Sequence, residues 1–136
     1  MEITFDGGKV ITAHLNGHTI RTDQPIQGGG TNTAPAPYDL FLASIGTCAG
    51  IYVKSFCDQR GISTEGMKIV QTMEIDPVKR IPSVIKLDIQ VPAGFPDKYK
   101  DAMINVAELC AVKKTINNAP GFEITTTVLN TVTGVN

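Results

Sequence analysis

The sequence contains no tryptophan, and aromatic residues make up only 6% of its 136 residues. Proteins that bind single-stranded nucleic acids stack the bases on aromatic side chains. The formal net charge is -1, and no stripe of lysine and arginine supplies the positive surface that nucleic-acid binding requires. These two absences argue against a nucleic acid as the main partner.

The sequence also predicts neither a membrane-spanning helix nor a targeting segment. The longest apolar run without a charge, residues 40–53, is shorter than the ~20 residues that cross a bilayer. The acidic start, residues 1–6, lacks the basic and apolar regions of a secretory signal. With 42% hydrophobic and 18% charged residues, the composition is that of a globular protein. We therefore expect a cytoplasmic protein with no membrane partner and a single domain over residues 1–136.

Sequence motifs for metal or phosphate chemistry are absent. No CxxC or HExxH pattern occurs, and His14 and His18 alone do not supply the three or four converging ligands of a zinc site. The glycine-rich segment 28–30 lacks the lysine and spacing of a phosphate-binding loop, so we interpret it as a flexible loop that acts as a hinge or packs against a partner. Ser44 has no histidine and acid arranged to suggest a hydrolase triad. We expect neither a metal nor a cofactor.

Three cysteines are present, an odd number that does not suggest the disulfide framework of a small secreted protein. Cys48 lies within the apolar run, and Cys110 lies far downstream; we expect each on a buried helix face. In a reducing compartment, a disulfide between them would be transient and catalytic. Buried free cysteines are also common as inert core residues, so spacing alone leaves both roles open. Cys57 follows Cys48 by nine residues, which places it on the opposite helix face and favours a structural role.

The residue patterns predict an α+β fold of order βββ-α-ββ-α-β with a mainly antiparallel sheet around a buried central helix. Asn16-Gly17 predicts a hairpin turn between two strands. Pro37 begins the central helix, which is apolar nearly all round, and Gly61 ends it. The second helix begins at Pro96-Asp97, ends near residue 117, carries Cys110 on its apolar face, and exposes Lys113-Lys114 to solvent near its end. The predicted strands cover residues 3–5, 9–15, 18–22, 68–76, 85–91 and 123–132.

Nearly the whole chain resembles the OsmC/Ohr family. The resemblance depends on three segments in order, Gly28-Gly29-Gly30-Thr31-Asn32, Ala36-Pro37-Tyr38-Asp39-Leu40-Phe41 leading into Gly46-Thr47-Cys48, and Glu108-Leu109-Cys110. It implies an intertwined homodimer whose two central helices are enclosed by sheet. It also implies a thiol peroxidase that reduces organic hydroperoxides, with Cys48 as the peroxidatic cysteine and Cys110 as the resolving cysteine. Cys57 matches no catalytic position of the family.

The peroxidase branch of this family has an arginine in an early hairpin and a glutamate after the proline that begins the central helix. Here Tyr38 occupies the glutamate position, with Asp39 next to it, and Lys9 lies in the hairpin turn. Arg21 lies on a later strand. We expect Arg21 or Lys9 to stabilise the Cys48 thiolate and Asp39 to orient that cation. An external dithiol would restore the thiols.

Four apolar residues are candidates for the substrate walls, which would favour bulky organic peroxides. They are Leu40, Phe41, Ile45 and Met103. Two alternatives stay open. One is a non-catalytic module that binds a small apolar ligand at the dimer interface, and the other is a structural dimer whose cysteines only fill the core.

Overall fold

Three antiparallel strands form the N-terminal sheet in the computed structural model, which describes residues 1–129. They are β1 (Glu2–Phe5), β2 (Ile11–Leu15) and β3 (His18–Thr22). Leu15 pairs with His18 across the turn, and both turn residues have positive φ, 50° at Asn16 and 79° at Gly17. Such angles define the tight hairpin turn that Asn-Gly favours, so the predicted hairpin is confirmed.

The glycine-rich segment forms a specific turn around Asp23, and not the flexible loop that its composition predicts. Asp23 is buried, with only 1% of its surface exposed. It accepts hydrogen bonds from the backbone N–H groups of Gln24, Thr31 and Thr33 and from both threonine hydroxyls, at 2.7–3.1 Å. These donors, the Thr31 hydroxyl foremost, hold the pKa of Asp23 far below its ordinary value. At Gly30, a Cβ would lie 2.0 Å from the Gln24 carbonyl oxygen, so no side chain fits there.

The central helix α1 extends over Pro37–Asp58. It begins at a proline, and Asp39 Oδ2 accepts the N–H of Ala36 at 3.1 Å, which satisfies a donor at the helix start. After the helix, Gly61 adopts φ +63° and the N–H of Ile62 bonds the Cys57 carbonyl at 2.9 Å. This is the glycine-dependent ending that the sequence predicts.

A second, two-stranded sheet packs against α1. It consists of β4 (Lys68–Ile75) and β5 (Pro82–Gln90), paired antiparallel with Gln71 opposite Leu87. The predicted alternation of β5 is confirmed, because Ile85, Leu87 and Ile89 are half-buried while the residues between them are exposed. Gln71 Nε2 also donates to the Leu42 carbonyl at 3.1 Å, which joins the sheet to α1.

The predicted second helix is interrupted. After a short 3₁₀ turn at Asp97–Tyr99, the chain forms α2 (Lys100–Ala107) and α3 (Ala111–Asn117), with a break at residues 108–110. The expectation of one continuous helix with Cys110 on its apolar face is therefore wrong. No proline or glycine marks the break. Cys110 instead takes a non-helical conformation (φ -48°, ψ 122°), in which its side chain is fully buried against α1.

The core forms where α1 packs on α2 and on the second sheet. Its buried members are Ala49, Val53, Phe56, Cys57, Met103 and Ala107. By length and composition α1 could also cross a membrane, with a mean hydropathy of 1.5, but its contacts with α2, α3 and β4 are those of a core helix. Only one face of α1 is buried. Phe41 and Ile51 remain exposed, so the expected burial all round the helix is not reached within one chain.

The end of the described chain contains neither helix nor strand. The predicted closing strand 123–132 is wrong for residues 123–129, while residues 130–132 lie outside the described range. Phe122, Ile124 and Val128 are almost fully exposed. A segment of residues that favour strands becomes a strand only when a neighbouring strand pairs with its backbone N–H and C=O groups. No strand within residues 1–129 pairs with this segment. The described order is thus βββ-α-ββ-αα, an α+β fold with antiparallel sheets.

Candidate functional site

Cys48 on α1 and Cys110 at the start of α3 face each other as free thiols. The groups that favour the charged form of the Cys48 sulfur are the backbone N–H of Val112, the Cys110 thiol and the backbone N–H of Ala111. These donors, in that order of strength, lower the pKa of the Cys48 thiol because they stabilise its charged form. A thiol with a lowered pKa is more often the nucleophilic thiolate at neutral pH.

The break between α2 and α3 creates this arrangement. The first N–H groups of a helix have no carbonyl of their own helix to bond, so Ala111 and Val112 keep donors free for the Cys48 sulfur. The first α3 bond runs from the N–H of Lys114 to the Cys110 carbonyl at 3.0 Å. Cys110 Sγ lies 3.9 Å from the carbonyl oxygen of Ile45, three residues before Cys48 on the same helix. Cys110 is therefore anchored one helical turn from its partner thiol.

The positive charge that lowers the Cys48 pKa is that of Lys113. Its side chain is 22% exposed, and its Nζ forms an ion pair with Glu108 Oε2 at 3.0 Å. The sequence instead predicts that Lys113 lies on a solvated helix end. The only sequence feature that could have indicated this role is its position three residues after Cys110. That position is informative only because a new helix begins at Ala111.

The three charged residues expected around Cys48 have other neighbours in the structure. Arg21 lies near Asp6, whose pKa is lowered first by the Thr12 hydroxyl and more weakly by the Arg21 charge. Lys9 lies beside the Gly28–Gly30 segment, with its Cε against Gly29. Asp39 caps the start of α1. Within one chain, none of the three is the charge that acts on Cys48.

A cleft of about 790 Å³ opens between β5 and the α2–α3 segment. Ile45 and Met103 line this cleft, together with Lys113 and Glu108. Leu40 and Phe41 lie outside its lining; Phe41 stacks on Tyr38 with ring centres 5.8 Å apart. The structure thus groups two of the four predicted wall residues, and the ion pair forms part of the same wall. Apolar side chains of β5 complete it, namely Val84, Ile85, Leu87 and Ile89.

Cys57 belongs to the core and not to the site. It is fully buried, and burial raises its pKa, with a smaller contribution from the Asp58 charge. A raised pKa keeps the thiol protonated and unreactive. Among residues 1–129, no three histidine, cysteine or acidic side chains converge in a way that could hold a metal ion.

The chain is similar to known proteins over most of its length, including the segments that carry the two site cysteines. The OsmC-like protein family matches residues 29–125, which include α1, both site cysteines and the α2–α3 break. No curated protein matches the chain. A crystal structure from Psychrobacter arcticus 273-4, of a protein described as an osmotic stress induced and detoxification response protein, is 25% identical. It matches with a TM-score of 0.66 over 84% of this chain and 85% of that one.

A second solved structure, from structural genomics, shares the fold at 19% identity. Its TM-score is 0.69, over 87% of this chain and 88% of that one. Since the family matches well over half of the residues and the fold agrees with solved relatives, the chain belongs to the OsmC-like protein family.

Proposed function

We propose that this protein is a thiol peroxidase that reduces organic hydroperoxides, with Cys48 as the peroxidatic and Cys110 as the resolving cysteine. The observation that carries the proposal is the pairing of two free thiols from separate helices, one of which has a lowered pKa. A structural pair of core cysteines needs no donors directed at one sulfur. Cys57, in the same chain, shows the structural case, since its pKa is raised by burial.

In the first step, the Cys48 thiolate attacks the terminal oxygen of the hydroperoxide. The S–O bond forms as the O–O bond breaks, the leaving alkoxide takes up a proton, and an alcohol departs. The sulfur is oxidised to a sulfenic acid and the peroxide is reduced. The N–H groups of Ala111 and Val112 stabilise the thiolate before attack, which raises the fraction of reactive sulfur at neutral pH.

In the second step, the Cys110 thiol gives up its proton and its sulfur attacks the sulfur of the Cys48 sulfenic acid. The S–S bond forms as the S–O bond breaks, and the leaving hydroxide takes up a proton and departs as water. The neighbouring positions of the two sulfurs make this condensation feasible without unfolding a helix, because Cys110 already faces Cys48. An external dithiol then reduces the disulfide by two exchange steps and becomes a disulfide itself. This reductant and the disulfide intermediate are most compatible with a reducing, cytoplasmic compartment.

The direct test uses reduced, full-length protein and cumene hydroperoxide without added dithiol. We expect one equivalent of peroxide to be consumed per pair of thiols, with formation of a Cys48–Cys110 disulfide that peptide mass spectrometry identifies. Both thiols remaining unmodified would refute the proposal.

We also propose that the protein is a homodimer in which α1 lies at the interface. Ile51 is 67% exposed in the single chain, and Phe41 and Tyr38 are exposed on the same helix. Large apolar side chains exposed on one helix of a domain indicate an interaction surface. The strongly exposed apolar segment around Phe122 and Ile124 adds a second surface that a neighbouring copy would cover.

Replacing Ile51 by glutamate should weaken dimerisation at least ~10-fold, because an uncompensated charge would be buried at the interface. Sedimentation or light scattering over a concentration series measures the change. Val78→Glu is the control, since Val78 is 88% exposed in the β4–β5 connection, away from α1. Equal dimer dissociation constants for the two variants would show that α1 does not lie at the interface.

The 790 Å³ cleft favours one second candidate, a non-catalytic module that binds a small apolar ligand. Its volume is within the roughly 300–1,000 Å³ of small-molecule sites, its walls are largely apolar, and neither site cysteine lines it. Native mass spectrometry of the purified protein should then show a bound small molecule. A ligand-free protein that consumes peroxide rapidly would eliminate this candidate.

A further inference from the structure

An ion pair spans the break between α2 and α3. Glu108 follows the last residue of α2 and Lys113 lies in the first turn of α3, so Cys110 is between the two members of the pair. Glu108 Oε2 and Lys113 Nζ are 3.0 Å apart, and the Lys113 side chain is only 22% exposed. The two charges therefore join the helices on either side of the cysteine that the proposed mechanism needs beside Cys48.

This ion pair fits the interrupted chain and not a continuous helix. On a continuous helix, the side chains that face each other are three or four positions apart. Glu108 and Lys113 are five positions apart, and at 3.6 residues per turn their side chains would point about 140° away from each other. They meet at 3.0 Å because one helix ends at Ala107 and the next begins at Ala111. The attraction between the two charges thus stabilises the break.

Neither charge lies where it would stabilise its own helix. A helix is stabilised by a negative charge at its N-terminus and by a positive charge at its C-terminus. Glu108 is a negative residue at the C-terminal end of α2, and Lys113 is a positive residue in the first turn of α3. Each charge is at the helix end that disfavours its sign, so the stability of the separate helices does not account for this pair. Their attraction across the break does.

The position of Cys110 depends on the break. Its side chain is fully buried in a non-helical conformation, with Sγ 3.9 Å from the carbonyl oxygen of Ile45, three residues before Cys48 on α1. Within α3, which the structure describes in full, no residue is buried. The helix that follows Cys110 therefore supplies little apolar packing of its own. Other contacts must hold this segment in place, and the ion pair on either side of Cys110 is one of them.

We propose that Glu108 and Lys113 are positioning residues that hold the resolving cysteine within reach of Cys48, because their ion pair favours the interrupted conformation over a continuous helix. This inference rests on the proposed function, since Cys110 needs a fixed place only where it must trap a sulfenic acid on Cys48. In a continuous helix, the Cys110 sulfur would leave the Ile45 carbonyl. The sulfenic acid would then persist longer, and a second peroxide could oxidise it further.

The experiment equilibrates reduced, full-length protein with a buffer of reduced and oxidised glutathione, without peroxide. Formation of the Cys48–Cys110 bond reduces one glutathione disulfide to two thiols, so the equilibrium constant measures how readily the two sulfurs meet. Acid quenching and peptide mass spectrometry give the fraction of disulfide. Glu108→Gln should lower the constant by about 3- to 5-fold, the upper range for an exposed ion pair. Salt at about 1 M should bring the wild-type constant toward that of the variant.

Exchanging the two charges separates position from charge. The double variant Glu108→Lys/Lys113→Glu restores the ion pair and places each sign at the helix end that favours it, so it should recover the wild-type constant. A constant that stays as low as in Glu108→Gln would overturn the positioning role, because the effect would then come from a single charge and not from the attraction between two.

Lys114→Met is the matched control, since it removes a positive charge from the next residue and should leave the constant unchanged. Equal constants for Glu108→Gln, Lys114→Met and the wild type would overturn the proposal. A wild type that forms only mixed disulfides with glutathione would overturn it as well, because Cys110 would then not be held within reach of Cys48.

Cys57 reports on folding in the same samples, because it is fully buried and is alkylated only if the core opens. If Glu108→Gln exposes Cys57, Lys113→Gln breaks the same ion pair from its other side and takes its place under the same criteria. Peroxide consumption is measured separately. A lowered constant in a protein that consumes no peroxide would support the positioning role and refute the peroxidase. An unchanged constant in an active peroxidase would refute the positioning role alone.

Discussion

The Cys48→Ser protein should consume cumene hydroperoxide in the presence of a dithiol at least ~1,000-fold more slowly than the wild type, at the rate of the uncatalysed mixture. Serine keeps the size and polarity of the position, but its hydroxyl is not ionised at neutral pH, so no nucleophile remains to attack the O–O bond. Peroxide consumption is followed directly, with dithiol oxidation as the second readout.

Cys57→Ala is the matched control for this loss. Cys57 is buried in the core and its pKa is raised, so its removal should leave turnover near the wild-type rate in the protein that remains folded. Equal activity of Cys48→Ser and the wild type would remove the catalytic assignment.

Cys110→Ser separates the two steps. It should still consume the first equivalent of peroxide and should accumulate a Cys48 sulfenic acid that dimedone traps, because the attacking sulfur is intact. The intramolecular disulfide cannot form, so the dithiol must reduce the sulfenic acid itself and repeated turnover should fall.

Gly30→Ala should destabilise the fold by about 3 kcal/mol, because the added methyl group overpacks a site closed by backbone atoms. Its Cβ would lie 2.0 Å from the Gln24 carbonyl oxygen and 2.7 Å from Asp23 Oδ1. Relieving the clash requires the turn to open, which separates the Asp23 carboxylate from its donors. Urea denaturation at fixed protein concentration measures the loss, and a drop of roughly 10 °C in Tm should accompany it.

Gly121→Ala is the control for the glycine itself. A Cβ at Gly121 meets nothing within 4 Å, so its effect should stay within about 0.5 kcal/mol. A Gly30→Ala protein as stable as Gly121→Ala would show that the turn does not depend on the Asp23 carboxylate network.

Local sequence patterns were sufficient to predict much of the fold. The Asn16-Gly17 turn, the proline that begins α1 and the alternation of β5 each act through backbone geometry or periodicity within a few residues. The closing strand was wrong in residues 123–129 for the opposite reason. Its threonine and valine residues favour an extended chain. A strand also needs a neighbouring strand, which the local sequence does not specify.

The site was half predictable. Cys48 and Cys110 stood out as thiols in apolar surroundings, and the family resemblance paired them. The sequence does not point to Lys113, because the arginine of the peroxidase branch of the family predicts a cation near the N-terminus, at Lys9 or Arg21. In the structure, the cation that acts on Cys48 comes instead from the segment that carries Cys110.

The sequence by itself determined the class of the fold, the extent of α1 and the identity of the two thiols, because these depend on periodicity, turn residues and residue type. The tertiary structure alone decided the break at residues 108–110, the groups that lower the Cys48 pKa and the ion pair of Lys113 with Glu108. Helix propensity favours continuing through Glu108-Leu109, whereas in the interrupted path Cys110 is buried with its sulfur 3.9 Å from the Ile45 carbonyl oxygen. Long-range packing of this kind is not encoded in any short stretch of the chain.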